Sequence, residues 1–576
     1  GCAPPGLFCE NEEFAVSFTP SLPASPATAS QPSLAGCYQS TFCAAQGGAG
    51  TMPGEAADYY NSAPPQQNGG QKEYGYGGQQ QQYGGPQYMQ PPPSYNQNFQ
   101  QAFNQPDGKP ATFDQAFKIE KPKWNDIWAG LLFLATGAGF VAVSGIAIQG
   151  YAATKGFNGG GIYDSNNEFG LTTNTLVLFV FCLVVALVLG YGYIWLARLY
   201  TKAFIWISGI LHIVFGFVTA IWMLVNRQYS GGIVFLLFAC FSAFCFYTWI
   251  PRIPFSVLML QTAIDVAKKF GHVYLVSFLG GLMTAAFGAY FSVTLVAIYV
   301  KYEPGANPAC STGAGGCSSA KVIGLIAFIT FAGYWITEWM KNTIHVVISG
   351  VYGAWYFSPN NPPKHPTRGA TKRALTYSFG SISLGSLLIA IIQSIRQACS
   401  VARAQSANSG NFATDCAFCV LQCILRLIEW AVQFINRYAF SYIALYGESY
   451  FKAAKATWTL VKDRGIDALI NECLIGPVMT MGATFVAYAC ALLAYLYLLF
   501  TNPGYNQDGG FTPVIVAYAF LIGLQIAHCF TTPLSSGIET IFVAAAWDPE
   551  VMMREHPEMY QKMVQVYPHV QQAIHA

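Results

Sequence analysis

Glu338, Asn342, His345 and Ser349 recur at i, i+4, i+7 and i+11 in an otherwise apolar run, which sets them on one face of a helix. Trp335 and Trp339 flank that face. A carboxylate beside indole rings suits an organic cation, because aromatic faces attract quaternary ammonium groups by roughly 0.5–2 kcal/mol each. The alternative pairs Glu338 with Lys341 or a neighbouring helix and makes the tryptophans packing residues. A second group holds Arg426, Glu429, Trp430, Gln433, Asn436 and Arg437. Arg426 and Glu429 are three apart and can pair locally, while Glu429 and Trp430 are expected to approach Glu338 from inside the bundle. A third group holds Gln525, His528, Thr531, Thr532 and Pro533, where the proline removes a backbone hydrogen bond and favours a kink. The unperturbed pKa of histidine is close to physiological pH, so His345 and His528 could carry a proton; satisfied interhelical histidines are the other reading.

These polar residues matter because of where they lie. Ten apolar stretches run at roughly 127–148, 174–196, 203–225, 231–250, 272–299, 321–349, 374–395, 417–445, 473–500 and 513–536. A membrane span needs about 20 mostly apolar residues. The stretches are continuous rather than alternating, so helices are expected rather than barrel strands. The fold class is therefore all-α, a polytopic membrane protein with ten transmembrane helices. Only 10% of residues are charged, against about 25% in soluble domains. The net charge of +2 suggests no nucleic-acid partner. Ionisable groups at membrane depth are costly and read as functional by default.

Lys and Arg in the loops set orientation. Eighteen fall on one side, including Lys121, Lys268, Lys364, Arg368 and Lys372, and six on the other. The first side is expected to be cytosolic, with both termini there. The first span would serve as signal and anchor. Cys310 and Cys317 share one outer loop, and Cys399 and Cys416 bracket another. An oxidising compartment makes a Cys310–Cys317 disulfide plausible and a Cys399–Cys416 disulfide somewhat less so. No Cys/His cluster has zinc spacing, so no metal is expected.

Residues 1–51 read as an extended or mispredicted start, since the first Met is Met52. Residues 52–123 form a Gln/Gly/Tyr/Pro-rich tail too polar to repay chain entropy. It contains PPSY at 92–95, and Pro92, Pro93 and Tyr95 fit a WW domain, such as that of a ubiquitin ligase, unless they arise by chance in a Pro/Tyr-rich tract. Residues 124–548 make the membrane domain and 549–576 a C-terminal tail. Pro254–Gly271 is amphipathic and is expected to lie at the cytosolic interface. No loop is long enough for a catalytic domain, and there is no Walker A loop, dinucleotide fingerprint or ordered triad. No enzyme activity and no cofactor are expected.

Four segments carry a resemblance: KRALTYSFGSISLGSLLIAIIQSIR at 372–396, NRYAFSYIALYGESYFKAAKATW at 436–458, KPKWNDIW at 121–128 and GVYGAWYF at 350–357. They resemble the choline transporter-like family, the last two its fungal pH nine-sensitive protein branch. The likeness covers about residues 113–565. It implies ten helices, cytosolic termini, the plasma membrane, and choline or a related amine as substrate. The first outer loop is shorter than in animal members, and no predicted outer loop has an Asn-x-Ser/Thr sequon. The leading expectation is a facilitative or proton-coupled carrier working by alternating access. The alternative is a non-transporting membrane scaffold or sensor.

Overall fold

In lipid, an apolar run must satisfy its own backbone polar groups, and a helix does so within one segment. The computed structural model describes Phe113, Phe117 and residues 122–155, 173–227, 229–303, 317–360, 362–408, 412–463, 475–501 and 512–566. Its helices are α1 (Ile127–Lys155), α2 (Thr173–Leu199), α3 (Thr201–Val225), α4 (Tyr229–Trp249), α5 (Ile253–Lys269), α6 (His272–Tyr302), α7 (Ser319–Phe357), α8 (Pro366–Leu375), α9 (Phe379–Asn408), α10 (Phe412–Tyr446), α11 (Tyr450–Asp463), α12 (Ile475–Thr501), α13 (Thr512–Trp547), α14 (Pro549–Glu555) and α15 (Pro557–Val566). Among the described residues, ten helices are long and apolar enough to cross a membrane, and there is no strand. The ten match the expected stretches. The last runs unbroken through Pro533 and continues well past residue 536.

α7 is the hub. It packs against α1, α6, α8, α9, α10, α13 and α14. Every residue from Val346 to Ala354 is buried. The end of the bundle reached by this half of α7 also carries α5, α8, α11, α14 and α15, and is called here the basic end. It is closed by tyrosines that tie separate helices together. Tyr352 donates to the Ala263 carbonyl at 2.8 Å, Tyr356 to the Asp548 carbonyl at 2.9 Å and Tyr446 to Asp548 Oδ2 at 2.6 Å. His556 Nε2 lies 2.9 Å from the Tyr356 carbonyl, and burial holds this imidazole below its usual range. The neutral Nε2–H therefore donates to that oxygen. Phe113 and Phe117, from the chain preceding α1, lie 4.8 Å apart, and both rings meet the Arg373 guanidinium, at 4.7 and 4.5 Å.

α5 turns its apolar face into the bundle. Pro251 and Pro254 interrupt the backbone ladder, and a 3-10 turn at Ile250–Arg252 joins α4 to α5. Phe255, Met259, Leu260 and Ala263 are buried, and Phe255 stacks on Phe542 of α13 with centroids 6.2 Å apart. The exposed Asp265 of α5 meets Arg198 at 2.7 and 3.0 Å.

Asp126, just before α1, is one of two non-glycine residues with positive φ among those described, at 52°. Its carboxylate explains why the strain is kept. Oδ2 accepts from Ser381 Oγ at 2.7 Å and from the Tyr450 backbone N–H, the first residue of α11, at 2.8 Å. It thus caps α11 while tying α1 to α9. A Cβ on Gly380 would come within 2.3 Å of the Asp126 carbonyl oxygen, so only glycine admits this crossing. Asp126→Ala should lower stability by about 2 kcal/mol or more, read as a lower melting temperature of the purified protein. An unchanged melting temperature would refute the anchor.

Candidate functional site

Three helices bring carboxylates together near their midpoints. Glu338 on α7 is 3% exposed and Glu429 on α10 is 7% exposed. Between them stands Gln393 of α9. Its Nε2 donates to Glu338 Oε1 at 3.2 Å and to Glu429 Oε1 at 3.1 Å. One amide group therefore bridges two acids. Arg396 Nε, three residues further along α9, lies 3.2 Å from Glu429 Oε2. Two buried carboxylates thus meet beside the Arg396 guanidinium, in a low-dielectric setting where a cation is strongly attracted.

The approach of these helices follows from small residues. α9 carries Ser381, Ser383, Gly385 and Ser386, all buried. Such residues let membrane helices pack closely and bond across the contact. Trp335 Nε1 donates to the Ser383 carbonyl at 2.9 Å, Asn342 Nδ2 to Ser386 Oγ at 2.9 Å, and Asn436 Nδ2 to the Gly385 carbonyl at 3.2 Å. α9 is in this way stitched to α7 on one side and to α10 on the other.

The tryptophans divide. Trp335 is 1% exposed, and Phe133 of α1 meets its ring edge-on at 5.4 Å. Its ring has no open face. Trp339 stacks on Phe133 at 5.0 Å and meets Phe379 at 5.5 Å. Its Nε1 is buried without a hydrogen-bond partner among the described residues. Trp430 does not join Glu338; it is half-buried and stacks on Phe434 of its own helix at 5.9 Å. Arg426 is exposed, and the ion pair of Glu429 is to Arg396 rather than the local one expected.

A second polar cluster lies one to three turns closer to the basic end. His345 Nε2 is 2.9 Å from the Arg437 carbonyl and 3.0 Å from Ser441 Oγ, and Nδ1 is 2.9 Å from Ser536 Oγ. A neutral Nε2–H tautomer satisfies this set, donating to the carbonyl and accepting from Ser536. Glu539 Oε2 lies 3.6 Å from Nδ1, and Glu539 Oε1 lies 3.9 Å from Arg437 Nη1. His528 is half-buried further along α13, where Thr532 Oγ1 donates to its carbonyl at 2.8 Å.

Sequence reasoning missed Gln393, Arg396 and Glu539 as site residues. Gln393 and Arg396 stood in the apolar run LLIAIIQSIR, where polar groups at that depth were the available signal. Glu539 lay beyond the expected end of the tenth span. Cys317 is disulfide-bonded, while Cys310 lies outside the described residues. Cys399 is a free, buried thiol, so the Cys399–Cys416 pairing is corrected; the Cys416 side chain is outside the described set. Residues 1–112, with Pro92, Pro93 and Tyr95, also lie outside it.

Residues 233–550 match the model of a family described as plasma-membrane choline transporter. The chain is 62% identical over 464 residues to Protein PNS1 of Gibberella zeae, covering 80% of this chain and 86% of that one. It is 57% identical over 541 residues to Protein pns1 of Aspergillus fumigatus, covering 91% and 99%. To Protein PNS1 of Saccharomyces cerevisiae it is 40% identical over 468 residues, covering 80% and 87%.

Proposed function

This chain belongs to the choline transporter-like family, in its fungal PNS1 branch, and we propose on that basis that it carries choline or a related organic cation across the plasma membrane. The observation that carries the reading is the pair of buried carboxylates, Glu338 and Glu429, bridged by Gln393 near the middle of three membrane-crossing helices. A fixed positive charge cannot cross hydrocarbon alone, and a buried acid pair offsets that cost. The Trp339 Nε1 donor would serve the hydroxyl of choline.

The loop-charge bias supports the basic end and both termini as cytosolic. In that orientation an inside-negative potential favours uptake by about 2.3 kcal/mol per 100 mV, without ATP. Alternating access would expose the acid pair to one side at a time, the tyrosine-tied basic end forming the closed gate of this conformation. His345, beside Glu539, and His528 are the groups through which protons would couple. Pro92, Pro93 and Tyr95 would recruit a WW-domain ubiquitin ligase to the cytosolic tail.

Binding to the purified protein tests the reading. Choline and its neutral carbon isostere 3,3-dimethyl-1-butanol share shape and differ in charge. Choline should bind at least about tenfold more tightly, since a cation gains several kcal/mol from a nearby carboxylate at low effective dielectric. Equal affinities would contradict an acid-lined site.

A further inference from the structure

A recess of about 600 Å³ lies at the basic end, between the start of α6 and the start of α8. Its two walls differ in chemistry. One is apolar: Leu275, Val276 and Leu279 of α6, with Leu275 and Leu279 53% and 48% exposed. The other is cationic: Lys364, Arg368 and Lys372, at four-residue spacing and all exposed. None of these three side chains has an acidic partner among the described residues. Their neighbours add no negative charge, since the other titratable groups lining the recess are His272 and His365. Three unpaired cations above an outward-facing leucine ladder match a molecule with an anionic head and an apolar tail.

We propose that this recess binds an anionic glycerophospholipid, its phosphate held by Lys364, Arg368 and Lys372 and its acyl chains laid along Leu275, Val276 and Leu279. Both walls are keyed to α7, the helix that carries Glu338. A Cβ on Gly280 of α6 would meet the Ile344 side chain at 2.2 Å, and one on Gly350 of α7 would meet Ala370 Cβ of α8 at 2.8 Å. A lipid that joins α6 to α8 therefore clamps two elements in direct contact with the hub. This assignment does not depend on which solute the protein carries.

The test uses full-length protein in neutral detergent, with bound lipid counted by native mass spectrometry. Dioleoyl phosphatidylserine should bind at least about tenfold more tightly than dioleoyl phosphatidylcholine, and Lys364→Gln/Arg368→Gln/Lys372→Gln should lose that preference. Leu275→Ser/Leu279→Ser should weaken phosphatidylserine binding, which a site for phosphate alone would not. Lys452→Gln, at an exposed lysine elsewhere on the basic end, serves as control and should change nothing. All replaced residues are exposed, and a single Lys364→Gln variant gives a partial loss if the triple variant folds poorly. Equal retention of both lipids, or an unchanged preference in the triple variant, would overturn the proposal. So would inorganic phosphate raising the melting temperature as much as the lipid does, because the occupant would then be a soluble phosphate.

Discussion

Glu338→Gln protein should fold and purify normally yet bind choline about 10- to 100-fold more weakly. The substitution keeps the shape and an oxygen that can accept from Gln393 Nε2, which now lies 3.2 Å from Glu338 Oε1. What it removes is one full negative charge from a position 3% exposed. A unit charge pair 4 Å apart is worth about 4 kcal/mol at an effective dielectric of 20, and part of that is offset by desolvation. The competing role for Glu338 is as a structural partner of Lys341. Lys341 is exposed, so losing that pairing should cost little. Normal choline affinity in well-folded Glu338→Gln protein would remove this residue from the site.

Gln393→Leu should fail differently. The amide donates to Glu338 Oε1 and to Glu429 Oε1 at once, and leucine offers neither bond. A buried acceptor stripped of its donor costs about 1–3 kcal/mol, and two are affected here. The melting temperature of the purified protein should fall by several degrees, and yield with it. Gln393→Glu should also destabilise, by placing a third acid between two others. If Gln393→Leu melts like the parent, the bridge carries no weight and the two acids belong to separate environments.

The ten helices were legible because lipid leaves the backbone few choices; length and apolar continuity sufficed. Glu338 and Glu429 were legible because a charge in such a run has few bland explanations. Their connection was not. Gln393 stands 55 and 36 residues from the acids it bridges, and only the close approach of α9 through Ser383, Gly385 and Ser386 brings it between them. The same limit explains Glu429. Sequence offers Arg426 on the same helix, whereas packing supplies Arg396 from the preceding one, α9, at 3.2 Å. The α5 segment was legible only as a pattern. Its amphipathic pattern marks an apolar face, and that face turns inward to meet Tyr352 and Phe542, partners that no local pattern reveals.

The central claim is movement of a cation through the protein, and flux into vesicles tests it most directly. Purified full-length chain is reconstituted into liposomes, and a potassium gradient with valinomycin sets an inside-negative potential. Radiolabelled choline should enter saturably and faster than into protein-free vesicles. Uptake should rise with the imposed potential, fall in the presence of excess unlabelled choline, and drop sharply in Glu338→Gln vesicles. Uptake no greater than in protein-free vesicles, from protein shown to be folded and correctly inserted, would contradict the account and favour a membrane scaffold or sensor instead.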